Sequence, residues 1–250
     1  MEGVADNESP LARVHRRGSR DAERRRNAES RIREKEEAAG KMRQLDAGTV
    51  ADVVRIMQDR SQSLERREAA ASVLSGLRCR EAVGPLIEVL AEGQQKLSWM
   101  CMWALTRIGS RREARKLIGI ARGSYPLPAR QEAIYTLWQL QELRAEPLFI
   151  RLSAAVDTEE EYTRDMATEA LGNTWLRLRT QRALSERLFD PSVSVRYAAL
   201  CACSCGHWQS RPHAFPEFLR RALVAKLADP AKLDDNRVIA EQAAELLGRA

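Results

Sequence analysis

The sequence predicts an all-α fold, a right-handed superhelical solenoid of about six helix hairpins. An apolar pattern with helical spacing recurs about every 31 residues, and each copy is followed by a second helix with a stripe of small side chains. A unit of about 31 residues cannot bury a core alone, so the units are expected to stack on one another.

The first helix of each hairpin presents apolar residues at positions i, i+3, i+4 and i+7, which form one helical face. The copies are Val50/Val53/Val54/Met57, Val83/Leu86/Ile87/Leu90, Ala114/Leu117/Ile118/Ala121, Ala145/Leu148/Phe149/Leu152 and Phe215/Phe218/Leu219/Ala222. A weaker copy surrounds Leu184 and Leu188. Pro85 and Pro147 fall early in their helices, where a missing N–H costs little.

The second helix of each hairpin opens on a polar residue and has small or apolar residues three, six and seven positions later. The six copies are Arg67/Ala70/Val73/Leu74, Ser98/Cys101/Ala104/Leu105, Arg130/Ala133/Thr136/Leu137, Arg164/Ala167/Ala170/Leu171, Arg196/Ala199/Ala202/Cys203 and Arg237/Ala240/Ala243/Ala244. The last position advances by 31, 32, 34, 32 and 41 residues, and an insertion around residues 207–216 accounts for the long step. Such regularity is typical of a repeat array and not of a globular bundle.

These residues resemble HEAT repeats, of the short kind found in phycobilisome-lyase-type HEAT proteins. The motifs are DPSVSVRYAALCA at residues 190–202 and EAVGPLIEVL at residues 81–90, and the resemblance covers about residues 47–250. It implies that the second helices line a concave face. It also implies a ladder between repeats, in which an Asp of the turn pairs with the Arg of the second helix.

The expected ladder arginines are Arg67, Arg130, Arg164, Arg196 and Arg237. The acids that match the pairing are Asp59 with Arg67, Asp157 with Arg164, Asp190 with Arg196 and Asp229 with Arg237. The second repeat has Ser98 in place of the Arg, and the third lacks the acid. We therefore expect the ladder to be interrupted at these two repeats.

The chain ahead of the array differs in composition. Residues 1–18 have no apolar periodicity and are predicted to be disordered, residues 19–45 to form a charged helical arm, and residues 46–250 to form the array. Residues 11–33 contain nine Arg and three acids, whereas residues 46–250 are nearly balanced, with 29 Lys/Arg and 26 acids. The arm could bind nucleic acid or an acidic membrane, although the acids that follow it fit a solvated helix equally well.

The sequence shows no long apolar run and no basic-then-apolar leader, so we expect no membrane span, no secretory signal and a cytoplasmic location. Its five cysteines suit a reducing compartment. Cys201, Cys203, Cys205 and His207 are of the ligand types that zinc prefers. However, helical residues two apart point about 200° away from each other, so we expect buried cysteines and no metal.

The side of each second helix opposite the small stripe is expected to line the groove. In repeats two and three this side has large apolar residues where a solvated helix would be polar. The candidate partner-binding residues are Trp99, Met102, Trp103, Ile134, Tyr135 and Trp138. Exposed aromatic clusters mark interaction surfaces, and the alternative is that a neighbouring hairpin buries these residues as core.

No phosphate loop, nucleophile elbow or metalloprotease motif is present, so we expect a protein without catalytic residues or cofactor. The leading hypothesis is an adaptor that binds a protein or peptide in its groove. One alternative is a factor that handles a bilin or another bulky ligand, as phycobilisome-type lyases do. The other is a nucleic-acid-associated protein that acts through residues 11–33.

Overall fold

A computed structural model describes residues 30, 34, 36–156, 159–174, 177–204, 217–228, 241, 243–245 and 248. These residues form helices joined by turns and contain no strand. The predicted disordered segment, most of residues 11–33, the acids Asp157 and Asp229, Arg237 and the insertion at residues 207–216 lie outside the described residues. The chain divides into two compact units, Met1–Ala82 and Val83–Ala250.

The described residues of the first unit form three helices and a short 3₁₀ turn. They are α1 at residues 36–44, α2 at Val50–Gln58, α3 at Leu64–Leu77 and the turn at Arg80–Ala82. Thr49 begins α2 with a capping box, because its hydroxyl accepts from the Asp52 N–H while the Asp52 carboxylate accepts from the Thr49 N–H. Ser63 caps α3 through the N–H of Arg66.

The described part of the predicted arm packs against α3. Ala38 and Leu45 are buried, and a Cβ placed on Gly76 would lie 2.9 Å from the Cβ of Ala38. The Lys41 ammonium donates to the Ser72 hydroxyl over 3.3 Å. Glycine at position 76 therefore permits the close approach of the two helices, and this stretch of charged sequence lies on a packed helix.

The second unit contains nine described helices and two 3₁₀ turns. They are α4 at Val83–Leu90, α5 at Gln95–Ile108, α6 at Ala114–Arg122, α7 at Leu127–Gln139, a turn at Leu143–Ala145, α8 at Glu146–Ala154, α9 at Glu161–Leu171, a turn at Gly172–Thr174, α10 at Leu178–Arg187, α11 at Val193–Ser204 and α12 at Glu217–Ala228. Pro147 lies in the first turn of α8, as predicted. Gly93, in the turn after α4, has φ of 72°, and a Cβ there would lie 2.3 Å from the ring of Pro126.

Each hairpin of the second unit packs its two helices together, in the pairs α4 with α5, α6 with α7, α8 with α9 and α10 with α11. The second helices also pack side by side, in the order α5, α7, α9 and α11. An inner second helix such as α7 or α9 is thus covered on three sides. Within the part of the chain that the structure describes, these contacts leave one side of such a helix open.

The predicted stripe of small residues is the core of the array. Its members are buried in all of the first five copies: Ala70, Val73, Leu74, Cys101, Ala104, Leu105, Ala133, Thr136, Leu137, Ala167, Ala170, Leu171, Ala199, Ala202 and Cys203. Small side chains at these positions allow close helix packing, which a thin apolar stripe requires. The helical phase read from the sequence is confirmed.

Two of the predicted ladder arginines, Arg130 and Arg164, form ion pairs between repeats, but with acids other than the predicted ones. The Arg164 guanidinium lies 2.7 Å from the carboxylate of Asp190, which belongs to the turn of the following repeat. Arg130 pairs in the same way with Glu159, at 2.6 Å. The expected interruption at the third repeat is therefore wrong, because Glu159 supplies the acid from a position two residues beyond the matching Asp.

The opening residue of the second helix also binds the end of the first helix. The Ser98 hydroxyl donates to the Leu90 carbonyl over 2.9 Å, and Arg67 donates to the Met57 carbonyl over 2.8 Å. Ser98 thus replaces the local contact of the arginine.

A second set of arginines links α8 to α10. The fully buried carboxylate of Glu146 accepts hydrogen bonds from Arg177, Arg179 and Thr180. Burial alone would raise the pKa of Glu146, but these hydrogen bonds outweigh it and the pKa is lowered. The carboxylate is thus held in its charged form.

Among the described helices, none has the length and apolar character that a membrane crossing requires.

Candidate binding face

The open side of the second helices is a ridge. It is formed by the first and fifth positions after the residue that opens each copy of the repeat motif, which is Ser98 on α5, Arg130 on α7, Arg164 on α9 and Arg196 on α11. Positions four residues apart lie one turn above each other on the same side of a helix. On α5, α7, α9 and α11 none of these residues is buried: Trp99, Trp103, Gln131, Tyr135, Asp165, Glu169, Tyr197 and Cys201. We call these eight residues the open face.

Two of the predicted partner-binding residues do not belong to this face. Met102 and Ile134 are 2% and 0% exposed, so the prediction that they line a binding surface is wrong. They occupy the fourth position after the opening residue, which lies 60° to 100° around the helix from the ridge. Thr168 and Leu200 occupy the same position on α9 and α11 and are also buried. This position is core because another second helix packs alongside.

The other four predicted residues form two aromatic pairs. Trp99 and Trp103 are 46% and 41% exposed, and their rings meet edge to face with centroids 5.9 Å apart. Tyr135 and Trp138 are partly buried and meet in the same way at 5.4 Å. Edge-to-face pairs contribute about 0.5–1.5 kcal/mol beyond the area that they bury. The rings are therefore held in place while part of their surface stays in water.

Acidic residues lie on α7, which carries the second aromatic pair, and on the neighbouring second helix α9. Glu132, Asp165 and Glu169 are partly buried, and none of the three carboxylates has a hydrogen bond or ion pair with any described residue. Burial raises the pKa of Glu132 to about 7. Burial, with the neighbouring charges of Glu169 and Glu161, raises the pKa of Asp165 to about 6. These carboxylates have lost water without gaining a cation.

Two further tyrosines, Tyr162 on α9 and Tyr197 on α11, are exposed. The pKa of Tyr162 is raised by partial burial of its phenol and by Glu132, Asp165, Tyr135 and Glu169. The phenol of Tyr162 is thus within electrostatic range of the three acids and of Tyr135 on α7.

Tyr197 lies beside Cys201 on α11. The thiol of Cys201 is the main cause of its raised pKa, and Glu169 adds to it. The open face therefore runs from aromatic residues on α5 through acids on α9 to an aromatic residue on α11.

No family model matches the chain, and no curated protein matches it. Among solved structures, it is similar to a chain from the complex of CpcE and CpcF of phycocyanin lyase from Nostoc sp. PCC7120. The two share 22% identity with a TM-score of 0.50, over 66% of this chain and 98% of that chain. This likeness shows a HEAT-like helical-repeat fold. The predicted fold class, an all-α solenoid, is confirmed.

The HEAT-like chain is also similar to computationally designed armadillo repeat proteins for modular peptide recognition. The identity is 15% and the TM-score 0.36, over 89% of this chain and 92% of those proteins.

Sequence reasoning missed Glu132, Tyr162 and Tyr197 as members or neighbours of the face of this HEAT-like array. Tyr197 could have been found, because it follows Arg196 at the position that Trp99 occupies after Ser98. Glu132 and Tyr162 lie off the ridge, on two helices that pack against each other.

The cysteines of α11 follow the helical phase. Cys203 is buried with the small stripe, and Cys201 is partly exposed on the open face. Within the described part of the chain, no group of three His, Cys, Asp or Glu is arranged to hold a metal ion. Cys205 and His207 lie outside that part.

Proposed function

We propose that this HEAT-like protein is a non-catalytic adaptor that binds a segment of a partner protein on the open face. One observation supports the proposal above all others: Trp99 and Trp103 are exposed on a helix whose remaining large apolar residues are largely buried. Exposed aromatic clusters on folded proteins mark interaction surfaces, and tryptophan is enriched among the residues that dominate binding energy.

The apolar area that the two tryptophans expose is large enough to support specific binding. Each ring leaves about 100 Å² in water, and covering that area is worth about 2.5 kcal/mol per ring. The edge-to-face geometry restricts the rings before a partner arrives, so little side-chain freedom is lost on binding. The helix that carries the two rings, α5, is held in place by its packing on α4 and on α7.

The proposal is tested with peptides selected from a random display library on the intact chain. We expect Trp99→Ser and Trp103→Ser to weaken binding by about 2 kcal/mol each, roughly 30-fold, while the Tm falls little. Leu178→Ser is a matched control, because Leu178 is 56% exposed on the first helix α10. Unchanged binding in both tryptophan variants would contradict the proposal.

The same purified protein also tests the two alternatives that the sequence leaves open, a bilin-binding factor and a nucleic-acid-associated protein. A visible absorbance band of the purified protein would favour the bilin-binding alternative over the adaptor. Nucleic-acid binding that falls steeply with salt would favour a role for residues 11–33.

A further inference from the structure

Resting on the proposed function, we infer that the partner segment is basic and that its Lys or Arg side chains pair with Glu132, Asp165 and Glu169. These acids lie beside the aromatic residues of the open face, on α7 and α9. The occupant is therefore a cationic stretch of polypeptide, with apolar residues that cover the tryptophans.

The unpaired state of the three acids is the first reason. Elsewhere in this unit, acids that are withdrawn from water have arginine partners, as Asp190 has Arg164 and Glu159 has Arg130. The carboxylates of Glu132, Asp165 and Glu169 are partly withdrawn from water as well, and no described residue supplies a cation to them. A partly dehydrated carboxylate without a partner is unfavourable, so pairing with a cation from a ligand would lower its free energy.

The aromatic neighbours are the second reason. The faces of tyrosine and tryptophan rings attract guanidinium and ammonium groups, and Arg and Lys stems pack on apolar surface while their charged ends reach an acid. Tyr135 lies on α7, the helix of Glu132, and Tyr162 lies on α9, the helix of Asp165 and Glu169, which packs against α7. Carboxylates and aromatic faces in one place favour a cationic side chain over a neutral or acidic one.

The electrostatic state agrees with this geometry. The pKa values of Glu132 and Glu169 are raised by burial, and that of Asp165 by burial and the like charges of Glu169 and Glu161. A bound cation would favour the charged forms and reverse these shifts. The free face therefore has an electrostatic penalty that a basic partner relieves.

The test uses the full chain and three synthetic peptides that share apolar residues and differ at four positions, which hold arginine, uncharged citrulline or glutamate. We expect the arginine peptide to bind about tenfold or more tighter than the citrulline peptide, and the glutamate peptide to bind weakest. In the triple variant Glu132→Gln, Asp165→Asn and Glu169→Gln, the advantage of arginine should disappear while citrulline binding stays. The Tm of the variant is measured as the folding control, and Glu169→Gln alone replaces it if the triple variant unfolds.

The outcomes separate this inference from the proposed function. Equal binding of arginine and citrulline peptides, both weakened by Trp103→Ser, would overturn the basic partner and leave the adaptor intact. Binding that ignores Trp99→Ser and Trp103→Ser, or no binding by any peptide, would overturn both. If a full-length variant with the nine arginines of residues 11–33 changed to Gln gains tenfold or more affinity for the arginine peptide, the occupant is the chain's own segment, and a partner is overturned.

Discussion

The ladder between repeats and the open face both contain acids that are withdrawn from water. The ladder acids have arginine partners among the described residues, whereas the acids of the open face have none. In the ladder, Asp190 is buried and lies 2.7 Å from the Arg164 guanidinium. On the open face and beside it, Asp165 and Glu132 have no hydrogen-bond or ion-pair partner among the described residues. The ladder acids are thus part of the fold, and the acids of the face are available to a ligand.

The pKa directions express the same difference. The pKa of Glu146 is lowered although burial opposes it, because Arg179, Thr180 and Arg177 donate to its carboxylate. The pKa of Glu132 is raised to about 7 by burial, with no donor to counter it. The presence of a cation, rather than the depth of burial, decides which acids stay charged.

The largest effect is expected from breaking the ladder. Arg164→Ala should lower the free energy of unfolding by about 3 kcal/mol, because the buried Asp190 carboxylate then keeps only the Ser192 N–H and the more distant guanidinium of Arg187, at 4.0 Å. Denaturation in urea measures the loss. Arg179→Ala is the matched control with a smaller loss, since Arg177 and Thr180 still bind Glu146. Equal losses in the two variants would mean that the Arg164–Asp190 pair contributes no more to the free energy of unfolding than the hydrogen bond of Arg179 to Glu146.

The next effect distinguishes the core side of α7 from its open side. Ile134→Ala should cost about 2–5 kcal/mol, because it leaves a cavity at a fully buried position. Gln131→Ala, on the open face of the same helix, should change the free energy of unfolding by less than about 0.5 kcal/mol. A small loss for Ile134→Ala would restore Ile134 as a candidate binding residue.

A smaller effect is expected where serine replaces the ladder arginine. Ser98→Ala removes a single hydrogen bond to the Leu90 carbonyl, which still accepts from the Gly93 N–H. We expect a loss of about 1 kcal/mol. Thermal or urea unfolding measures it, and a loss as large as that of Arg164→Ala would show that the second repeat depends on Ser98 as strongly as the fourth depends on its arginine.

The smallest effect concerns the pH dependence of stability. The pKa of Glu132 is about 7 in the folded protein against an ordinary 4.5, so the folded state holds more protons between these values. Stability should therefore fall as pH rises through this window, with the penalty complete above about 7. Glu132→Gln should be more stable than the unchanged protein near pH 8 by about 1 kcal/mol or less, and the gain should vanish below the ordinary pKa of 4.5. A gain of the same size at both pH values would locate the effect elsewhere.

The sequence predicted those features that depend on one helix and its period. The small stripe from Ala70 to Cys203, and helix starts such as Pro147, follow from spacing and local backbone chemistry, and the structure confirms them. Repetition strengthened each assignment, because every copy had to satisfy the same phase.

Features that depend on neighbouring repeats could not be predicted in this way. Met102 and Ile134 fall on the outer side of an isolated helix, and only the side-by-side packing of α5, α7 and α9 buries them. Glu159 pairs with Arg130 although it is offset from the matching Asp of its turn, because the pairing depends on distance in the assembled array. The raised pKa of Glu132 depends in the same way on what surrounds it.

The most direct test of the contrast is a carboxyl NMR titration of Glu132 in the full chain, free and with the arginine peptide bound. We expect a midpoint of about 7 in the free protein and a clearly lower midpoint in the complex, because a cation then lies beside the carboxylate. An ordinary midpoint near 4.5 in the free protein, unchanged by the peptide, would contradict the account.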